Sequence, residues 1–339
     1  MQHLLMLKQF LLQLSLRRLV NLMGVYSSYQ ISKFLKKPLV WGRPFAMSIE
    51  PTTACNLGCT ECPSGLKQFT RATGNLKIAE LKKWLDELKQ HLMYVNFYFQ
   101  GEPLIHPNIC EAIALADERK IFTAISSNAH FITAAKAEEL IQSGLKRIVI
   151  SIDGVSQESY EKYRIHGILE KVLIGTKNLV EAKKRLKSHY PIISWQMVVF
   201  SSNEADIPTA KKMAKEFGVD EMKFKTAQFY DYKNGHPLMP ENLKYSRYRK
   251  EADGTYRINN TLPNHCWRLW QSSVLTFDGN AVPCCFDKDA SYPMGKLNGK
   301  SFKEIWTNKD YQGFRTKVLK GRKHVDICAN CSEGSKVWN

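Results

Sequence analysis

The sequence predicts an α/β fold built on a parallel sheet, and three observations support that. Six apolar, strand-like runs recur between residues 45 and 230. Helical patterns fill the intervals, among them IAELKKWLDELKQHL, AAKAEELIQSG and IPTAKKMAKEFG. The last two close on glycine, as helix C-termini favour. Strand and helix in alternation argue for parallel pairing through right-handed crossovers. An open doubly wound sheet and a barrel both satisfy that pattern.

Residues 1–44 come first. LLMLKQFLLQLSLRRLVNLMG is apolar, but Lys8, Arg17 and Arg18 interrupt it. A membrane span needs about 20 nearly uncharged residues, so none is expected. No small-residue cleavage site follows, which argues against a secretory signal. No Asp or Glu precedes Glu50, whereas Lys8, Arg17, Arg18, Lys33, Lys36, Lys37 and Arg43 are basic. Two readings follow: a basic apolar helix lying on an anionic membrane, or a pair of helices packed on the main domain.

The strand-like runs are FAMSIEPT (45–52), YVNFYFQGE (94–102), FTAISSNA (122–129), RIVISIDG (147–154), ISWQMVVF (193–200) and EMKFKTAQ (221–228). Residues 231–265 are rich in Tyr, Asn, Pro and charge, and read as a surface linker. SSVLTFDGNAVPCC then carries a hairpin signal at Asp278-Gly279. A helix is expected in SFKEIWTNKDYQGFRTKVLKG. The expected organisation is a basic apolar helical segment (1–44), an α/β core (45–230), a linker (231–265) and a small cysteine-bearing domain (266–339).

Of the 339 residues, 44% are hydrophobic and 24% charged, as in ordinary globular proteins. The net charge of +17 favours anionic partners without choosing among nucleic acid, phosphorylated substrates, acidic peptides and membranes. Scattered lysines also serve solubility. Nine cysteines are few for a disulfide scaffold of this length. They fall at 55, 59, 62, then 110, then 266, 284, 285, 328 and 331. Paired short spacings read as metal ligands in a reducing compartment, so the cytoplasm is expected, with residues 1–44 peripheral to the inner membrane on the first reading above.

CNLGCTEC (55–62) is the most informative stretch. A closed tetrahedral site wants four ligands, and only three cysteines are here. Three thiolates on a four-iron cube leave one iron open for chemistry. Zinc, with a fourth ligand from elsewhere, is the alternative. The loop follows a strand, where parallel α/β folds place their active sites.

CNLGCTEC resembles the C-x3-C-x2-C signature of the radical S-adenosylmethionine (SAM) superfamily. The likeness continues through the strands that follow and implies a partial (β/α)6 TIM-like barrel. In that family the open iron of a 4Fe-4S cluster binds SAM. Its reductive cleavage yields a 5′-deoxyadenosyl radical that abstracts hydrogen from the substrate, and the protein supplies position and exclusion of water. Cys55, Cys59 and Cys62 would hold that cluster. QGEP (100–103) resembles the family's Gly-Glu-Pro motif, so Glu102 would accept a charge-assisted hydrogen bond from the cofactor's ammonium. In SSNA, Asn128 would face the ribose or the methionine moiety. In SIDG, Ser151 and Asp153 are two apart and share a face, and Asp153 would hold ribose hydroxyls. Arg164 in YEKYR would pair with the cofactor carboxylate, for which a planar fork suits. The residue before the third cysteine is usually aromatic in the family and here is Glu61, which puts the adenine contact in question.

Cys266, Cys284, Cys328 and Cys331 form C-x17-C-x43-C-x2-C. Taken alone, zinc and an iron–sulfur cluster fit equally. Behind a radical SAM core the set resembles Twitch, the reduced SPASM domain, with one auxiliary 4Fe-4S cluster. The spacing looks most like the sugar dehydrogenase of aminoglycoside synthesis. A full SPASM domain needs more cysteines than remain. Cys285 is an alternative ligand, a buried thiol or a hydrogen-atom donor of the epimerase kind. Cys110 reads as core.

The resemblance implies hydrogen abstraction from a small sugar or cyclitol, and the basic apolar N-terminus would suit a lipid-linked or envelope-related metabolite. The auxiliary cluster would take an electron or orient the substrate, and a flavodoxin- or ferredoxin-type protein would donate one. A peptide substrate is the main competitor, against which stands the lack of a leader-binding domain before residue 45. Tyr98, Gln100, Gln196, Lys223 and Lys225 are candidate substrate contacts. The rival from another class is a non-catalytic zinc or iron–sulfur nucleic-acid-binding module. No aromatic-plus-basic motif supports it, so no nucleic-acid partner is expected.

Overall fold

The computed structural model describes residues 2–297 and 299–337. Met1, Asn298, Trp338 and Asn339, which fall in the first and last expected segments, lie outside the described residues. The six runs become β1 (Ala46–Ile49), β2 (Tyr94–Asn96), β3 (Phe122–Ser127), β4 (Arg147–Ser151), β5 (Ile192–Val199) and β6 (Glu221–Thr226). They pair in sequence order and in parallel, Ala46 opposite Tyr94, Tyr94 opposite Phe122 and Arg147 opposite Ile192. This is a mostly parallel six-stranded partial barrel. The central strands are buried on both faces, which is why they read as continuous Ile/Val runs rather than alternating ones.

β2 is shorter than the apolar run that predicts it. After Asn96 only the Phe97 amide still joins the ladder, donating to Ala124 O at 2.8 Å. The chain then turns under the cysteine loop. Of the helices with quoted patterns, the first spans Ile78–Leu88, the second Ala134–Gln142 and the third Ile207–Glu216. The first buries Leu81, Trp84, Leu85 and Leu88, the i, i+3, i+4, i+7 stripe of a helix facing a core.

Residues 231–265 hold a two-stranded antiparallel ribbon, β7 (Tyr248–Lys250) and β8 (Tyr256–Ile258). Tyr248 anchors it. Its hydroxyl accepts from Phe229 N at 2.9 Å and lies 2.8 Å from Asn330 Oδ1, joining the end of the barrel to the C-terminal region.

The hairpin is β9 (Ser272–Leu275) and β10 (Asn280–Val282), extended by β11 (Gly295–Lys296). β9 adds to β1 in parallel, Ala46 opposite Ser272, so one sheet runs β11-β10-β9-β1-β2-β3-β4-β5-β6. The single helix expected over 301–321 is two, Phe302–Thr307 and Lys309–Gly321. Asn308 breaks it: its backbone is extended and its side chain caps the second helix by accepting from Tyr311 N. Such Asn caps satisfy amides that a continuous helix would not need to satisfy. Fully buried Arg315 fastens this pair to the rest of the protein. It donates to Leu269 O and Trp306 O and lies 4.1 Å from the Trp306 ring centroid. Burial lowers its pKa to about 10.

The N-terminal segment forms α1 (Gln2–Gln13) and α2 (Leu16–Leu35), packed across the starts of the strands. Phe10 stacks on Phe122, the first residue of β3. Arg18 is buried and donates to the carbonyls of Gln13, Lys89, Arg119 and Lys120. Further on, Tyr29 bonds His265 Nδ1 at 2.8 Å. Among the described residues, no helix is long and apolar enough to cross a membrane.

Candidate active site

The loop after β1 is held from behind. Glu50, fully buried, takes a two-pronged pair from Arg71 at 2.8 and 2.6 Å and a bond from Phe277 N at 3.2 Å. Burial raises the Glu50 pKa and Arg71 opposes the rise. Within the loop, Cys62 N donates to Cys59 O at 3.2 Å and Gly58 N donates to Ile165 O at 2.9 Å.

Gly101 explains why the following motif begins with glycine. Its φ is +73°, and a Cβ there would lie 2.3 Å from Thr52 O. Only glycine lets β2's continuation press against the β1 loop in that conformation. The contact is closed by Gly101 N donating to Ser64 Oγ at 2.8 Å and Glu102 N to Ala54 O at 2.8 Å.

Cys55, Cys59, Cys62, Glu102, Asn128, Ser151 and Arg164 line one cavity of about 180 Å³, with Tyr98 and Gln196. Five strands, β1 to β5, thus deliver residues far apart in sequence to one wall, most of them at or just beyond strand ends. Asp153 is the exception. It is fully buried, and both its carboxylate oxygens are taken: Oδ2 by Arg164 Nε at 2.5 Å and Oδ1 by Val198 N at 2.6 Å. It holds Arg164 from below, where the sequence reading gave it ribose hydroxyls. Arg164 in turn reaches Cys59 Sγ at 3.6 Å.

Glu102 accepts from Ser127 Oγ at 2.7 Å, Asn128 N at 2.7 Å and Leu104 N at 3.1 Å. Burial raises its pKa against these bonds. A buried carboxylate with one side on a cavity suits a cationic ligand. Ser127 and Asn56, whose Oδ1 accepts from Asn128 Nδ2 at 2.8 Å, were not foreseen. Ser127 sits beside Asn128 in SSNA, but strand alternation assigns it the other face.

Burial pushes the Cys55 thiol up to about 12, and Glu102, Cys59 and Cys62 add to the rise. Burial also raises Cys59, with Arg164 opposing. Thiols in such surroundings ionise only beside a strong positive charge, which bound iron supplies. The donor set fits a thiolate-held cluster. Among the described residues no three His, Cys, Asp or Glu side chains converge as a single-ion site; the three thiols line the cavity.

Cys266, Cys328 and Cys331 are buried and Cys284 is half-buried. Gly334 presses on Cys266: at φ +75°, a Cβ there would lie 2.4 Å from Cys266 Sγ. Cys331 Sγ accepts from Arg322 Nη2 at 3.4 Å and Glu333 N at 3.3 Å. Burial carries Cys328 up to about 12, and Cys266 and Cys331 add to it. Cys331 is carried to about 11 by burial, with Arg322 opposing. This is again a thiol group that fits iron, with N–H···S donors that would tune its potential.

Cys285 is exposed, so the buried-thiol reading does not hold. Cys110 packs at the edge of the core, half-buried, 3.9 Å from Glu139 Oε2. Gln100 is buried under the cysteine loop, accepting from Ser64 Oγ at 3.3 Å. Lys223 and Lys225 are exposed on β6, Lys223 3.2 Å from Glu221. Glu61 faces His236 at 3.4 Å, tying the loop to the 229–236 segment.

A strand-end cavity with three open-sided thiols, beside a second enclosed set, is the arrangement of an iron–sulfur enzyme. Residues 49–207 match the radical SAM superfamily and residues 266–332 the SPASM iron–sulfur cluster-binding domain. The chain belongs to the radical SAM superfamily and is a radical SAM enzyme with a C-terminal SPASM domain, using a 4Fe-4S cluster and SAM. Over 319 residues it is 24% identical to the tungsten-containing aldehyde ferredoxin oxidoreductase cofactor-modifying protein of Pyrococcus furiosus, spanning 84% of this chain and 86% of that one. Its fold resembles BtrN solved with AdoMet and 2-DOIA, at TM-score 0.52 and 19% identity, covering 86% of this chain and 93% of that chain. It also resembles anSMEcpe solved with AdoMet and the Cp18Cys peptide, at TM-score 0.58 and 17% identity, covering 84% and 88%.

Proposed function

We propose that Cys55, Cys59 and Cys62 hold the 4Fe-4S cluster whose open iron takes SAM. Cys266, Cys284, Cys328 and Cys331 hold a single auxiliary 4Fe-4S cluster. The observation that carries this is the shared cavity, where three thiols face Glu102, Asn128, Ser151 and Arg164. The first cluster, when bound, supplies the electron for reductive cleavage of SAM to a 5′-deoxyadenosyl radical.

This chain's residues bind, orient and exclude water. Glu102, fixed by three donors, accepts the cofactor's ammonium. Arg164, aimed by Asp153, pairs with its carboxylate and steadies Cys59. Asn128 and Ser151 orient the ribose. Asp153 is a positioning residue.

The substrate is a small polar metabolite of the sugar or cyclitol kind, from whose carbon a hydrogen is abstracted. Tyr98 and Gln196, polar side chains on the cavity wall beside the residues assigned to SAM, support that reading. A peptide is the second reading, favoured by the similarity to an enzyme solved with a peptide. A flavodoxin- or ferredoxin-type protein is the electron donor. The test is anaerobic turnover with deuterated candidates, reading deuterium in 5′-deoxyadenosine by mass spectrometry. Label from a sugar or cyclitol supports the first reading and label from a peptide the second. No 5′-deoxyadenosine at all from reconstituted protein, SAM and dithionite refutes both.

A further inference from the structure

We propose that the outward face of α1 and α2 docks this enzyme on an anionic phospholipid surface. The distribution of polarity on α2 is reversed. Its inward residues include Arg18, Asn21, Ser28 and Ser32, all buried. Each is spent on a specific bond: Arg18 on four carbonyls, Asn21 on the Arg43 backbone, Ser28 on Val25 O and Ser32 on Leu39. The outward residues are apolar: Leu16 is 78% exposed, Val20 59%, Met23 62% and Phe34 84%. A helix facing water carries the opposite pattern. α1 continues the surface with Leu7, Leu11 and Leu12, each more than half exposed. Most of the exposed large apolar side chains among the described residues lie in these first 41 residues. Single exposed leucines need no explanation, but a continuous face does.

Charge selects the occupant. Lys8, Arg17, Lys33, Lys36 and Lys37 are exposed beside this face, and no acidic residue precedes Glu50. A second copy, meeting face to face, would set these cations against themselves with no carboxylate between them. An anionic bilayer offers acyl chains to the leucines and headgroups to the cations. Tyr26 and Trp41, both exposed, suit the headgroup level.

The geometry also fixes the orientation. The two helices cover the starts of the strands, while the cavity lies at their ends. β3 (Phe122–Ser127) runs between those levels, and at ~3.3 Å per residue that is about 20 Å. Docking therefore turns the mouth away from the bilayer, toward water. The substrate arrives from solution, and the expected tie between the N-terminal segment and a lipid-linked or envelope substrate does not follow.

The test uses the full chain, purified and reconstituted anaerobically, with vesicles of phosphatidylcholine alone or mixed with phosphatidylglycerol. Partition onto the mixed vesicles should exceed that onto phosphatidylcholine by about tenfold or more, and should fall with added salt. The double variant Leu16→Glu with Phe34→Glu should lose about tenfold or more of it, with unfolding temperature and SAM cleavage unchanged. Lys33→Gln, Lys36→Gln and Lys37→Gln should each cost about fivefold, and they decide the matter if the double variant misfolds. Absence of binding at low salt overturns the proposal. So does a dimer in sedimentation that the double variant converts to monomer.

Discussion

Cys55, Cys59 and Cys62 share one short loop on the wall of a cavity. Cys266, Cys284 and the Cys328/Cys331 pair come from three separate points of the C-terminal region, with Gly334 against Cys266 and Arg322 bonded to Cys331. Both sets raise the same electrostatic demand, since buried thiols need a cation to ionise. They differ in what lies opposite. Across from the first set stand Glu102, Asn128, Ser151 and Arg164, arranged for a ligand. The second set faces its own glycine, arginine and backbone amide. One arrangement leaves room for chemistry, and the other holds without inviting a ligand.

Single Cys→Ser changes should separate the two most sharply. At Cys55, Cys59 or Cys62, 5′-deoxyadenosine formation should fall more than about a hundredfold. At Cys328 or Cys331, iron should fall from about eight to about four per chain, with SAM cleavage kept within about tenfold and substrate turnover lost. Equal loss of SAM cleavage from both sets would erase the distinction.

The glycines offer a subtler pair. Gly101→Ala forces a Cβ toward Thr52 O, and Gly334→Ala forces one toward Cys266 Sγ. Strain at such positions is about 1–3 kcal/mol. The first variant should impair SAM binding and spare the auxiliary iron, and the second should do the reverse. Iron assay and SAM titration on both proteins check this.

Asp153→Asn should weaken SAM binding by about tenfold to a hundredfold, because Arg164 loses a charge-assisted partner. Iron loading should be unchanged, and Asp153→Glu should recover part of the affinity. Equilibrium binding of SAM reads the effect.

Glu102 gives a pH dependence. Burial raises its pKa, so it gives up its proton at higher pH than in the unfolded chain. Its carboxylate fraction, and with it affinity for the cofactor's ammonium, falls as pH drops through that raised value. Stability of the SAM-free chain falls as pH rises from the unfolded value to the folded one. Glu102→Gln should remove both slopes, by binding and melting measurements over mildly acid to neutral pH.

Much of this site was legible. Cysteine spacing needs no tertiary knowledge, and Gly-Glu-Pro, SSNA and SIDG mark strand ends that a parallel sheet brings together. What sequence cannot give is which partner a buried polar group meets. Asp153 and Ser151 alternate correctly, yet Arg164 lies over Asp153 and closes it off from the cavity. Ser127 reaches Glu102 from the face that alternation assigns elsewhere. Asn308 broke an expected helix because its extended backbone makes it a cap, a choice that periodicity does not register. A buried thiol is one sequence expectation for Cys285, but the turn after Val282 leaves it exposed.

The most direct measurement is electron paramagnetic resonance of the dithionite-reduced chain carrying Cys328→Ser and Cys331→Ser, so that only the first cluster contributes. Adding SAM should change the signal of that cluster, as binding at an open iron requires. An unchanged signal from a fully iron-loaded sample, or zinc as the metal held by Cys55, Cys59 and Cys62, contradicts the open site.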